Sequence, residues 1–97
     1  MKLYRGYEAE YKKRHDEIWP ELSVLLKDAG ISDYVIFLDE ETNTLFSVLK
    51  ATDKALLDNL PAKAIMQKWW AYMSDIMESN PDHSPVSVPL KEVFYLP

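Results

Sequence analysis

Tyr7, Tyr11, His15, Ile18, Leu22, Leu25 and Ala29 recur at steps of four, four, three, four, three and four, tracing one face of a helix over residues 7–29. Pro20 falls inside that stripe. It has no N–H to donate, and its ring crowds the preceding turn. The stripe therefore predicts a helix kinked at Pro20, or a second helix that starts with proline in its first turn. Gly30 follows as a stop. A helix with one apolar face needs an apolar surface to lie on, so the rest of the chain has to supply one.

Two short alternating segments can do so. Asp33–Asp39 (DYVIFLD) sets Tyr34, Ile36 and Leu38 against Val35 and Phe37, and Thr44–Ala51 (TLFSVLKA) reads as a second strand. The connection Glu40–Asn43 is short enough for an antiparallel hairpin. Asp53–Leu60 reads as a short helix behind an N-capping Thr52 or Asp53. Pro61 opens a longer helix to about Met77, with Ile65, Trp69, Tyr72, Met73 and Ile76 on its buried side. Ser79–Pro89, with three prolines, reads as an ordered loop, and Leu90–Leu96 (LKEVFYL) as a final strand. With a short first strand at Met1–Tyr4 the order is βαββαβ. That is the ferredoxin-like split arrangement, an α+β fold with helices on one face of an antiparallel sheet.

Met1–Tyr4 covers only part of a typical strand of about five or six residues. Either the natural start lies upstream or a partner chain fills the gap. Both residue sets of each strand carry large apolar groups, so the second sheet face also needs cover. A homodimer joined through the sheet and the C-terminal strand is expected, with Phe94 and Leu96 largely buried.

Bulk properties exclude several classes of function. Ninety-seven residues suit a single domain spanning 1–97. The net charge of −5, with no block of Lys and Arg, argues against nucleic acid and against an anionic membrane surface. No apolar run approaches the roughly 20 residues of a membrane span, and the N-terminus has no signal-peptide apolar region. Cysteine is absent, which removes disulfides, thiol catalysis and thiolate metal sites. A cytoplasmic protein is expected. The two glycines form no phosphate loop, and His15 and His83 lie too far apart in sequence for a metal-ligand pair. Ser84 and Ser87 lack a nucleophile-elbow setting. Asp39, Glu40 and Glu41 read as a solvated turn; Glu8, Glu10, Lys12, Lys13 and Arg14 read as a solvated helix face. Cofactor-free acid–base chemistry, or plain binding, remains.

His15 lies one turn after Tyr11 on the apolar stripe. It reads either as a packed histidine bonded to a neighbour or as a group that exchanges protons near neutral pH. Trp69 and Trp70 point about 100° apart on a helix, so they cannot fill one pocket together. They read as core residues or as a flat platform for the C–H face of a sugar, with an indole N–H free for a hydroxyl. Tyr11, Tyr34 and Tyr72 offer similar amphipathic surfaces, and Tyr34 stands where a strand side chain can meet the first helix.

Five strings in order resemble the L-rhamnose mutarotase family: EYKKRHDEIWPEL (Glu10–Leu22), DYVIFLD with NTLFSVL after it, WWAYMSDIM (Trp69–Met77), NPDHSPVS (Asn80–Ser87) and LKEVFYLP (Leu90–Pro97). The similarity runs over nearly the whole chain. It implies a homodimer of the dimeric α+β barrel type that acts as an aldose 1-epimerase on a 6-deoxyhexose in rhamnose catabolism, with no cofactor and no metal. It also implies a proton-donating His15, substrate contacts from Tyr11 and Tyr34, and a tryptophan pair at Trp69 and Trp70. Two departures stand out. His83 occupies a loop position where the family is expected to carry asparagine, and the first strand is short. The competing readings are a cofactor-independent oxygenase or isomerase of the same barrel type, and a non-enzymatic sugar-binding domain.

Overall fold

A computed structural model describes residues Met1 to Pro97. The apolar stripe forms two helices, α1 (Glu8–Asp16) and α2 (Pro20–Asp28), with Pro20 at the start of the second as its missing N–H requires. Strands β1 (Ile31–Asp39) and β2 (Thr44–Ala51) form an antiparallel hairpin in which Phe37 faces Phe46 and Leu38 faces Leu45. A one-turn helix α3 (Lys54–Asp58) follows. The Asp53 carboxylate caps it by accepting from the amides of Ala55 and Leu56. A 3₁₀ turn (Leu60–Ala62) leads into α4 (Ala64–Met73).

The chain is thus α+β, with an antiparallel two-stranded sheet. Shorter segments extend it. Leu45 donates to Met1, Leu3 donates to Asn43, Tyr4 donates to Ile76 and Glu78 donates to Lys2, all through backbone groups. Residues 1–4 therefore lie between β2 and residues 76–79, bridging to each in antiparallel sense. Asn43 secures this seam. It is buried, holds a left-handed φ of 55° that asparagine tolerates, and donates from its amide to the Leu3 carbonyl and the Glu8 carboxylate.

The C-terminal expectation is corrected. Leu90–Leu96 forms no strand; Val93, Phe94, Tyr95 and Leu96 are exposed in the single chain. The place beside residues 1–4 belongs instead to Met77–Ser79, and α4 ends at Met73 rather than Met77. The helical spacing of Met73 and Ile76 continues through a turn, where the Ile76 amide bonds to the Met73 carbonyl. Ile76 and Met77 stay buried although the helix has stopped.

The main core joins Leu3, Tyr11, Leu22, Leu45, Trp69, Met73, Ile76 and Met77. Leu22 and Ile76 are fully enclosed, a burial that contributes about 1.5–3 kcal/mol for each side chain. A smaller cluster of Ala29, Ile31 and Leu60 sits under the end of α2. There Gly30 adopts φ 80° and accepts from the Thr52 amide, so the helix can stop and the strand begin within one residue. The other face of the hairpin is bare, with Val35, Phe37, Phe46 and Val48 open to solvent. No helix is long and apolar enough to cross a membrane.

Candidate active site

The five residues singled out by sequence converge. Tyr11 and His15 from α1, Tyr34 from β1, and Trp69 and Trp70 from α4 all line one mainly apolar cavity of about 960 Å³ between the helices and the sheet. The same five also surround a smaller recess of about 70 Å³ together with Met1, Met73, Met77 and Pro85. Helical spacing accounts for the first pair: four residues apart, Tyr11 and His15 stand one above the other, and their rings stack at 4.3 Å.

His15 is held at its Nδ1 and across its ring. Nδ1 lies 3.0 Å from the backbone carbonyl of Tyr11. A carbonyl oxygen only accepts, so Nδ1 carries the proton and Nε2 is left with a lone pair in the neutral ring. Trp69 meets the imidazole edge-on at 5.4 Å. Burial pushes the His15 pKa below its ordinary 6.5, with the Tyr11 carbonyl and Asp16 opposing more weakly. The result is an imidazole that is neutral at neutral pH and has one nitrogen free.

The tyrosines are held as phenols. Burial raises the Tyr11 pKa well above its ordinary value, and the neighbouring Tyr34 adds to the shift. Tyr34 keeps 44% of its surface exposed, yet the packing around its hydroxyl still raises its pKa, against a smaller opposing contribution from Ser47. Both can donate and accept hydrogen bonds without ionising.

The tryptophan pair divides as helix geometry requires. Trp69 is 6% exposed and belongs to the core, where Trp19 packs edge-on against it at 5.1 Å. Trp70 is half-buried and lies on the cavity wall. Tyr72, expected on the buried side, is 43% exposed and does not reach the cavity; it stacks on Trp19 at 5.5 Å.

Sequence reading missed three features. Arg14 does not belong to a solvated face: its side chain is only 11% exposed. Trp19 entered only as one letter of the string EYKKRHDEIWPEL, yet it backs Trp69. Glu8, Lys12, Asp16 and Glu40 reach the cavity lining. The four-residue steps from Glu8 to Lys12 to Asp16, one position removed from Tyr11 and His15, carried that signal. No three His, Cys, Asp or Glu side chains are grouped as metal ligands.

The chain is similar to known proteins over nearly its whole length. A family model described as L-rhamnose mutarotase matches residues 1–96. An L-rhamnose mutarotase of Agrobacterium fabrum is 60% identical over 97 residues, covering 100% of this chain and 91% of the relative. One of Sinorhizobium fredii is 59% identical over 96 residues, covering 99% and 92%. The crystal structure of an L-rhamnose mutarotase from Formosa agariphila superposes with a TM-score of 0.92 at 55% identity, covering 99% of this chain and 92% of that one.

The depressed pKa of His15 has a thermodynamic consequence. Below its ordinary 6.5 the unfolded chain binds a proton that the folded chain does not. The His15 contribution to stability is therefore complete above that value and is lost as pH falls from it toward the folded pKa. Urea midpoints at pH about 7.5, 6.5 and 5.5 should decline for the wild type, and the decline should be shallower in His15→Asn. Equal slopes in the two proteins would show that the ring titrates alike in both states.

Proposed function

The chain belongs to the L-rhamnose mutarotase family and is an enzyme that interconverts the anomers of L-rhamnose; we propose that it does so as an aldose 1-epimerase, by acid–base ring opening and closure without a cofactor. The observation that carries this mechanism is the free Nε2 of His15, in a cavity walled by two phenols and an indole.

Mutarotation requires a proton at the ring oxygen while the anomeric hydroxyl loses one. In its protonated form His15 donates from Nε2 to the ring oxygen as the bond from that oxygen to C1 breaks. The anomeric proton leaves to water. Rotation about C1–C2 then turns the aldehyde. On closure the neutral imidazole takes back the proton of the attacking hydroxyl while water returns a proton to the carbonyl oxygen, which becomes the new anomeric hydroxyl. Burial lowers the His15 pKa, which makes the imidazolium a stronger acid and favours the forward transfer. Tyr11 and Tyr34 orient hydroxyls as neutral donors and acceptors. Trp70 lies against the C–H face of the sugar, and Ile36 and Met66 on the cavity wall suit the C6 methyl of a 6-deoxyhexose.

The wider reading is a single cytoplasmic domain serving rhamnose catabolism. The order β1, β2, residues 1–4, residues 76–79 supports a ferredoxin-like split fold of the dimeric α+β barrel type. A homodimer is supported by the bare hairpin face of Val35, Phe37, Phe46 and Val48 and by the unpaired apolar segment at Val93–Leu96. Sedimentation at micromolar concentration should give a dimer; a monomer would remove that part of the reading.

Saturation-transfer NMR on L-rhamnose should show faster anomer exchange with the wild type. His15→Asn should lower the rate by about 10²–10⁴-fold while the protein stays folded. A folded variant with wild-type exchange would exclude His15 as the proton carrier. Tight rhamnose binding without faster exchange in the wild type would favour the sugar-binding alternative.

The tryptophans should separate in the same assay. Trp69→Ala removes a core residue and should cost about 3–5 kcal/mol of stability. Trp70→Ala should stay close to wild-type stability and lose about tenfold in rhamnose affinity, roughly one good stacking contact. Fluorescence titration and denaturation of both variants check this; equal stability losses with unchanged binding would make both tryptophans structural.

A further inference from the structure

Arg14 precedes His15 on α1, and its guanidinium makes contacts in every direction available to it. Nε donates to Glu10 at 2.7 Å, and the two terminal nitrogens donate to the two Asp75 oxygens at 2.8 and 3.3 Å. One of these nitrogens also donates to the Tyr72 backbone carbonyl at 2.8 Å, and the group lies 4.2 Å from the Tyr72 ring centroid. The arginine side chain is 11% exposed, whereas the carboxylates of Glu10 and Asp75 are 39% and 65% exposed. Surface ion pairs contribute little on their own. A largely covered planar fork bound on two sides and stacked on a third instead fixes geometry.

The contacts close on themselves. Arg14 covers Tyr72, Tyr72 stacks on Trp19, Trp19 packs edge-on to Trp69, and Trp69 packs edge-on to His15. The loop returns to Arg14 through one peptide bond. Helix α1 has few other anchors: it is nine residues long, lacks a side-chain N-cap bond and buries only Tyr11. It is otherwise tied at its first residue by the Asn43 amide on the Glu8 carboxylate, at the end away from His15. A helix this short is marginal alone.

We propose that Arg14 is a positioning residue for the mutarotase reaction, holding α1 on the C-terminal end of α4 so that His15 Nε2 faces the sugar's ring oxygen. The assignment rests on His15 being the proton carrier. Arg14 touches neither substrate nor cavity and acts only through the placement of His15 and Trp69.

The test is anomer exchange on L-rhamnose by the full-length protein, with each variant assayed well below its own melting midpoint. The wild type must accelerate exchange; failure there defeats the mutarotase reading itself, whereas the Arg14 and Asp75 variants test only the positioning role. Arg14→Gln should lower kcat about tenfold or more and change KM by less than about threefold, because displacement by a fraction of an ångström penalises proton transfer more than sugar contact. The limb of its kcat/KM profile that reports His15 should move to higher pH, since a loosened imidazole regains water. Arg14→Lys keeps the charge without the fork, and Asp75→Asn keeps one acceptor; both should fall between Arg14→Gln and the wild type. Unchanged kcat in a folded Arg14→Gln overturns the proposal, as does a loss confined to KM. If Arg14→Gln does not fold, Asp75→Asn and Arg14→Lys decide: lowered kcat in both supports the positioning role, and wild-type kcat in either defeats it.

Discussion

The edge-on packing of Trp69 against His15 is the contact on which the rest of the architecture depends. It joins α1, which carries the proton-transfer group, to α4, which carries the aromatic wall. Both helices must therefore lie on the same sheet face at a fixed separation. The imidazole is largely withdrawn from water where these rings pack, and that burial shifts the His15 pKa downward. Core packing and site chemistry meet at a single pair of rings.

That pair places demands on the sequence that local rules reveal only in part. The steps of four, three and four from Tyr11 through His15 and Ile18 to Leu22 were legible because helix periodicity is a property of the backbone. So was the restart at Pro20, and so was the hairpin, whose alternation matches the observed pairing of Phe37 with Phe46. Leu90–Leu96 misled for the opposite reason. Its pattern states a preference for pairing, but a strand exists only where an edge is free, and within the chain that edge is taken by Met77–Ser79. Arg14 was read as solvated because arginine seldom goes inside; only the convergence of Glu10, Tyr72 and Asp75, the last two far away in sequence, overrides that preference.

The site residues were legible to different degrees. Spacing showed that Tyr11 and His15 share a face and that the two tryptophans diverge. It could not show which tryptophan is core, because that depends on Trp19 arriving from another part of the chain. Nor could it show the state of the imidazole. That comes from the hydrogen bond to the Tyr11 carbonyl, which assigns the Nδ1 proton and leaves Nε2 free. Resemblance to a family named the residues, whereas the structure supplies the physical reason that a neutral histidine here has one free nitrogen in a largely apolar cavity.

The most direct test of His15 as the proton carrier is ¹⁵N NMR of its ring with and without L-rhamnose. The expected result is a neutral ring protonated at Nδ1 in the free protein, titrating below 6.5, with the Nε2 signal shifted by the sugar and the Nδ1 signal held. A ring protonated at Nε2, or an Nε2 signal indifferent to saturating rhamnose, would contradict it.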